Sequence, residues 1–398
     1  GGKKGAVPRE DIETFVRLGE QISHYESVKA VYNFKMPKSI EKYSKVLDEA
    51  LKSITVCDPA VGSGAFPVGM LTEIVRARSS LTPYFNEVGE RTPYYFKRHA
   101  IQNCLYGADI DPGAVEIAKL RLWLSLVVDE EDVKQIKPLP NLDYKIVWGD
   151  SLLGFPFKSN RITKIEALKL KFFDETNAGK KKALKQEIDA EIEAAFASSK
   201  KSLGVGVSFD FEIFFSEVFH AKQGFDVVIA NPPYVSVEKF ARTALQTEWK
   251  RRYKTFASRG DIYCFFYERG LGLLREGGVL SFISSNKFQR AGYGKELREL
   301  LASQRIRALV DFCELPVFAA ATDPMIVIVN KGLPPASHEI PVVVIKDESE
   351  FESLHHSLAS RGSLYKPNQL KSEGWSLEGG DGLALVEKLR TKSKPLGE

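Results

Sequence analysis

The sequence predicts an α/β fold with a mostly parallel seven-stranded sheet, helices on both faces and a final antiparallel strand. Two observations predict it. Seven short apolar runs follow residue 50, at 54–57, 104–108, 144–148, 225–230, 279–283, 306–310 and 325–329, and runs of this kind read as strands buried on both faces. Amphipathic stretches at 114–127 and 263–274 carry apolar residues at helical spacing. Strand–helix alternation is the pattern of a parallel sheet joined by crossover helices. The last run, entered through Thr322-Asp323-Pro324, suits an antiparallel partner.

The first strand runs into Asp58-Pro59-Ala60-Val61-Gly62-Ser63-Gly64-Ala65-Phe66. A strand, a tight glycine turn and a helix form a cofactor cradle, because glycine admits positive φ and the helix N-terminus presents free N–H groups. The same pair of glycines also serves a plain strand–helix turn. Asp58 at the strand end suits a cationic or amino-bearing ligand and would repel a pyrophosphate.

The second strand ends in Gly107-Ala108-Asp109-Ile110-Asp111-Pro112. A carboxylate at that tip can accept both ribose hydroxyls, but it lies about twice the roughly 20 residues from the glycine turn that a dinucleotide fingerprint requires. Pro67 also stands where that fingerprint has its third glycine, so a nicotinamide or flavin site is disfavoured. Asp111 has a simpler use as a helix cap, with Pro112 in the first turn. The third strand ends in Trp148-Gly149-Asp150-Ser151, where Asp150 can accept from an adenine amino group or cap a turn. Asp58, Asp109 and Asp150 therefore follow three consecutive strands and line one edge of the sheet. That order suits adenosine joined to a charged amino acid, as in S-adenosyl-L-methionine.

Residues 164–197 are rich in Lys, Glu and Ala and read as one or two charged helices inserted between the third and fourth strands. The fourth strand, 225–230, delivers Asn231-Pro232-Pro233-Tyr234 to its C-terminal mouth, where open α/β sheets bind ligands. Two successive prolines cannot continue a ladder. They leave carbonyls beside an amide and a ring, a corner suited to a planar amino-bearing group. Lys250-Arg251-Arg252, flanked by Trp249 and Tyr253, suits either a phosphate backbone or a solvated loop.

Composition adds bounds. The chain has 56 basic and 52 acidic residues, a net charge of +4, which by itself is no nucleic-acid signature. The four cysteines, Cys57, Cys104, Cys264 and Cys313, are far apart among apolar neighbours, which predicts core positions, no metal site and a reducing cytoplasm. No run is long and apolar enough for a membrane span, so no membrane partner is expected. Gly1-Gly2-Lys3-Lys4-Gly5 reads as a frayed or cut end.

The Asp-Pro-Ala-Val-Gly-Ser-Gly-Ala-Phe segment followed by Asn-Pro-Pro-Tyr resembles the amino-group (N6-adenine) DNA methyltransferases, in the gamma motif order. The resemblance covers roughly residues 20–332. Residues 106–126, the charged insertion and the Phe318 region are similar to the large methyltransferases fused to restriction nucleases (type IIG) or serving in BREX-type phage defence. It implies a Rossmann-like fold, S-adenosyl-L-methionine as cofactor, double-stranded DNA as partner, and an adenine flipped out of the duplex for methylation at N6. Carried over, Asp58, Ala60, Gly62 and Gly64 would surround the methionine part of the cofactor. Asp109 would hold the ribose and Ile110 would pack on the adenine. Asp150 would read the adenine amino group with Ser151 beside it, and Phe266 would contact the cofactor. Asn231, Pro232, Pro233 and Tyr234 would be catalytic. Tyr234 and Phe318 would clamp the target base, although Phe318 also fits a core position. One departure is Met36, within Asn33-Phe34-Lys35-Met36-Pro37, where the family carries threonine.

The resulting organisation is an N-terminal helical segment at 1–50 closing over the cofactor site, and a catalytic domain at 51–335 with its insertion at about 156–222. Residues 336–398 are expected to be a linker or the lead-in to a target-recognition domain of a larger polypeptide or defence complex, with a nuclease possible there. Two other functions share the motifs: methylation of RNA or of a protein glutamine amide, and a catalytically silent, cofactor-gated DNA-binding subunit.

Overall fold

The computed structural model describes residues 7–28, 32–86, 89, 91–128, 142–154, 161–197, 206–318 and 323–377. By its internal contacts the chain divides into two units, Gly1–Gly149 and Asp150–Glu398.

The first unit is built on three parallel strands, β1 (Val56–Asp58), β2 (Leu105–Asp109) and β3 (Ile146–Trp148), with β2 in the middle. Val56, Cys57, Leu105, Ala108, Ile146 and Val147 are all buried. That explains why these strands are apolar throughout rather than alternating. Helices Ala65–Leu81, Pro93–Asn103 and Pro112–Val127 accompany them. Two of these start on side-chain caps followed by proline. Tyr95 N–H donates to Thr92 Oγ1 at 3.2 Å, and Gly113 N–H donates to Asp111 Oδ1 at 2.8 Å. Each cap satisfies an N–H that the helix itself leaves unpaired. Asp111 is thus the cap that its position before Pro112 suggested. Before β1, the Arg9–Ser27 helix buries Phe15 and Ile22 in a cluster with Met36, Ile40 and Leu81. Met36 is therefore a core residue of this unit.

The second unit has six strands in the order β4-β5-β7-β6-β8-β9. They are β4 (Phe225–Ala230), β5 (Leu274–Ser285), β6 (Arg305–Asp311), β7 (Pro324–Asn330), β8 (Ile340–Val344) and β9 (Ser363–Tyr365). β4 and β5 are parallel, and β7 inserts antiparallel between β5 and β6. The described strands number nine, two more than the seven expected. The additional pair lies past residue 335: β8 runs parallel to β6, and β9 antiparallel to β8. β8 was hidden by Pro341, which ordinarily argues against a strand, and β9 by its three-residue length.

The charged insertion forms two helices, Ile162–Asp174 and Ala178–Phe196. They bury Ile165, Phe172, Ile188 and Ile192, and outside they pair Lys164 with Glu191 at 2.7 Å. Three of the four cysteines are buried; Cys313 is exposed. It sits just past β6 at φ +50°, in a turn that points it away from the core its apolar neighbours suggested.

Candidate functional site

In the first unit the glycine turn is fastened from beneath. Val61 N–H donates to Ala108 O at 3.0 Å, and a Cβ on Gly107 would meet Val61 Cγ2 at 2.8 Å, so β2 can lie this close only as glycine. Gly62 and Gly64 adopt φ of +49° and +82°. At Gly64 a Cβ would meet Ala118 Cβ at 2.9 Å; at Gly62 it would meet nothing nearer than Ala60 O at 4.0 Å. One glycine allows helix packing, and the other leaves open space over the backbone, the space a ligand's carboxylate or main chain would take.

Two acids flank this turn. Asp58 is 1% exposed. Its Oδ1 accepts from Ala60 N–H at 2.9 Å, and its Oδ2 is buried without a hydrogen-bond partner. Burial, with a smaller contribution from the Asp109 charge, pushes its carboxyl up to about 8 against the opposing Ala60 amide. Asp109 accepts from Gly62 N–H at 2.8 Å and from Asp111 N–H at 3.0 Å. In this state it clamps the turn, while each carboxylate oxygen keeps a second lone pair. Next to it, Ile110 is 68% exposed and Trp148, opposite Asp109 in the β2–β3 register, is 56% exposed. Trp148 Nε1 donates to Ile110 O at 2.9 Å, making an apolar ledge at the strand tips. Trp148 closes β3, as the third apolar run predicts, and its exposure is the part that the run does not give. An aromatic as the last residue of a strand, before Gly-Asp, was the available signal.

In the second unit, Asp150 accepts from Leu152 N–H at 2.8 Å. Burial raises its carboxyl above the ordinary range despite the Leu152 and Leu153 amides and the charges of Arg252 and Arg269. Ser151 is buried. Tyr253 O–H donates to Leu152 O at 2.7 Å, and Arg252 Nη1 donates to the carbonyls of Leu153 and Gly154, the latter at 2.9 Å. Arg252, considered above for a phosphate backbone, is instead spent on holding this segment.

At the mouth of β4, Pro232 is buried, Pro233 exposed, and Asn231 and Tyr234 half-buried. Tyr234 O–H donates to Asn231 Oδ1 at 2.7 Å, and its ring meets Tyr263 edge-on with centroids 6.1 Å apart. Burial, then the Asp261 charge, pushes the Tyr234 hydroxyl up to about 12, so it stays a donor at neutral pH. The chain leaving the corner is pinned by Asp261, whose Oδ1 accepts from Val235 N–H at 2.9 Å, and by Ile262 N–H donating to Val235 O at 3.0 Å. Asp261 went unassigned in the sequence, although an acid just before the Tyr263–Leu273 helix was visible. Phe266 is buried in that helix. Phe318 is half-buried, seven residues past the end of β6.

A family model described as Eco57I restriction-modification methylase matches residues 103–318, more than half of the chain. The chain is 24% identical over 337 residues to the type II restriction enzyme and methyltransferase RM.Eco57I of Escherichia coli, a match covering 81% of this chain and 28% of that protein. It is 31% identical over 185 residues to the type II methyltransferase M.PaeR7I of Pseudomonas aeruginosa, covering 42% of this chain and 30% of that one. The chain thus spans under a third of the length of these curated relatives. Among solved structures, the ATP-dependent type ISP restriction-modification enzyme LlaBIII bound to DNA aligns with a TM-score of 0.48 at 15% identity, over 90% of this chain and 22% of that one. With the family model matched across its central half, this chain belongs to the Eco57I restriction-modification methylases.

Proposed function

We propose that this chain is the methyl-transferring part of a restriction–modification enzyme. Its substrate is an adenine turned out of double-stranded DNA, methylated at the N6 amino group with S-adenosyl-L-methionine as donor. The observation that carries the reading is the Asn231 amide oxygen, presented at the mouth of β4 by a double-proline turn and already accepting a hydrogen bond there. An adenine amino nitrogen is a poor nucleophile because its lone pair is delocalised into the ring. Asn231 Oδ1 and the Pro232 carbonyl would accept its two hydrogens, favouring a pyramidal nitrogen with a localised lone pair. This work is positioning and fixed dipoles, and no strong general base is needed. Turning the base out costs a few kcal/mol, and stacking on Tyr234 returns about 1–3 kcal/mol of it.

The first unit's residues fit the donor. When bound, S-adenosyl-L-methionine supplies an electrophilic sulfonium methyl. The partnerless Asp58 Oδ2 would accept from the donor's ammonium, and the open backbone over Gly62 would take its amino-acid end. Asp109 would hold the ribose hydroxyls, and the Ile110–Trp148 ledge would support the adenine. Asp150, with Ser151 beside it, would read the adenine amino group, and Phe266 is proposed to contact the donor. Phe318 is assigned to the target base with Tyr234. Relatives named as both restriction enzyme and methyltransferase are more than three times longer than the matched part, which supports target recognition and cleavage residing in further parts of a larger polypeptide.

The test is transfer of a tritium-labelled methyl group to DNA, RNA and protein acceptors, followed by base analysis. Label is expected in N6-methyladenine of DNA. Asn231→Ala is expected to lower turnover by about 100-fold or more while donor affinity stays within about twofold. Wild-type turnover in the variant, or label confined to RNA or glutamine, would overturn the reading.

A further inference from the structure

The second unit gathers positive charge in one stretch beside the Asn-Pro-Pro-Tyr corner. Residues 235–260, which follow that corner directly, hold seven cations and two acids, a net +5 in a chain whose total is +4. The stretch is a closed excursion. Ser236 bridges Asp261 in antiparallel fashion, and Val237 N–H donates to Gly260 O at 3.0 Å, so both ends return to the corner. Aromatic rings hold its inner side. Trp249 and Tyr253 are buried, and their rings, with that of Phe256, gather on Phe265 of the Tyr263–Leu273 helix at centroid distances of 5.5, 5.1 and 6.0 Å. Ring pairs at such distances add to the burial that anchors them. Thr255 N–H and Oγ1 both donate to Glu268 Oε2 at 2.9 Å. The apolar residues of the excursion are thus fixed against the helix, and its charges are left outside.

Both acids of the excursion are already answered. Glu248 pairs with Arg251 and Arg252 at 2.8 and 3.1 Å, and Glu238 with Arg259 at 3.7 Å. Lys239, Arg242, Lys250 and Lys254 are exposed, and among the described residues none of their side chains has a hydrogen-bond or ion-pair partner. Arg242 stands at φ +64°, a left-handed backbone that arginine seldom adopts, with its N–H donating to Gln246 Oε1 at 3.2 Å. We infer that this excursion grips the phosphate backbone of double-stranded DNA while the target base sits at Asn231, an inference that rests on the methyl-transfer reading above. Four uncompensated cations on a fixed support suit a polyanion, because each phosphate they neutralise releases condensed counterions. Contacts of this kind set position and register and carry no sequence information. They therefore leave target recognition to other parts of a larger polypeptide.

The test is binding of the intact chain to a short fluorescent duplex made of G·C pairs alone. It contains no adenine, so it reports the backbone whichever base is methylated. Anisotropy titrations over a series of salt concentrations give the slope of log affinity against log salt. The Lys239→Gln/Arg242→Gln/Lys250→Gln/Lys254→Gln variant is expected to make that slope shallower by about 3–4 and to bind at least about tenfold more weakly at low salt. Its Tm and its affinity for S-adenosylhomocysteine are expected to be unaltered. A control with Lys35, Lys38, Lys45 and Lys180, exposed cations elsewhere, all changed to Gln loses the same charge and is expected to keep the wild-type slope to within about 1. Equal slopes in wild type and excursion variant, an equal loss in the control, no binding of the wild type at low salt, or tighter binding of a single-stranded RNA of the same length overturns the inference. A slope that falls as expected while label appears only in RNA or glutamine overturns the proposed reaction and leaves the DNA contact standing. N6-methyladenine formed in DNA with the slope unchanged does the reverse.

Discussion

At the residue scale, the proposed reaction turns on what already occupies Asn231. Its side-chain oxygen accepts from Tyr234 O–H at 2.7 Å, so an incoming amino group must compete with, or displace, an internal donor. Displacement also frees the ring to stack. A neutral hydrogen bond of this kind contributes about 0.5–1.5 kcal/mol net. Tyr234→Phe is therefore expected to lower the KM for DNA by roughly 2- to 10-fold with little change in kcat, as read by steady-state methyl transfer. A raised KM would mean that the hydroxyl touches substrate rather than holding Asn231 in reserve. The Asn-Pro-Pro-Tyr corner was legible in the sequence because its residue types are unusual at a strand end. The Tyr234–Asn231 bond and the Asp261 pin were not, since both depend on how the chain folds back after the double proline. The exposure of Trp148 and the partners of Arg252 were not legible for the same reason: both depend on neighbours far along the chain.

At the scale of elements, the parallel strands β1 to β3 were readable because strands buried on both faces must be apolar, and antiparallel β7 because its run Met325–Val329 is apolar as well. β5 begins five residues before its apolar run, through Gly277-Gly278, where sequence pattern gives no strand signal. The glycine turn shows how one residue can serve two demands. Gly64 combines φ +82° with a Cβ position 2.9 Å from Ala118. Gly64→Ala is expected to cost about 1–2 kcal/mol from the left-handed backbone alone, plus the strain of pushing the Pro112–Val127 helix outward. Denaturant titration of the intact chain, alongside donor titration, should show lower stability and weaker donor binding together. Unchanged values would mean that the turn relaxes freely. Asp48 accepts from Arg78 Nε at 2.9 Å and from Arg91 Nη1 at 3.0 Å, and this buried ion-pair cluster had no sequence signal, because its three members come from three separate segments.

At the scale of the whole molecule, the buried Asp58 carboxyl links stability to pH. Its folded value is raised from 3.8 to about 8. An acid raised in this sense favours the folded state fully below the ordinary carboxylate range, and that contribution is lost as pH rises through about 8. The donor-free Tm of the wild type is therefore expected to fall more steeply across this window than that of Asp58→Asn. A ligand ammonium at Oδ2 favours the carboxylate, so donor binding near neutral pH should release a proton, seen by calorimetry in buffers of different ionisation enthalpy. Parallel Tm curves and no proton release would remove Asp58 from the donor site. No described helix is long and apolar enough to cross a membrane.

The ledge at the tips of β2 and β3 has an optical consequence. The chain has four tryptophans. Trp249 and Trp375 are shielded and Trp123 is half-buried, leaving Trp148 as the one indole open to solvent. Long-wavelength emission therefore belongs chiefly to that ring, and a purine settling on it would quench the red edge of the spectrum. The protein carries its own fluorophore where the donor's base is proposed to rest, and occupancy can be followed without attaching a dye.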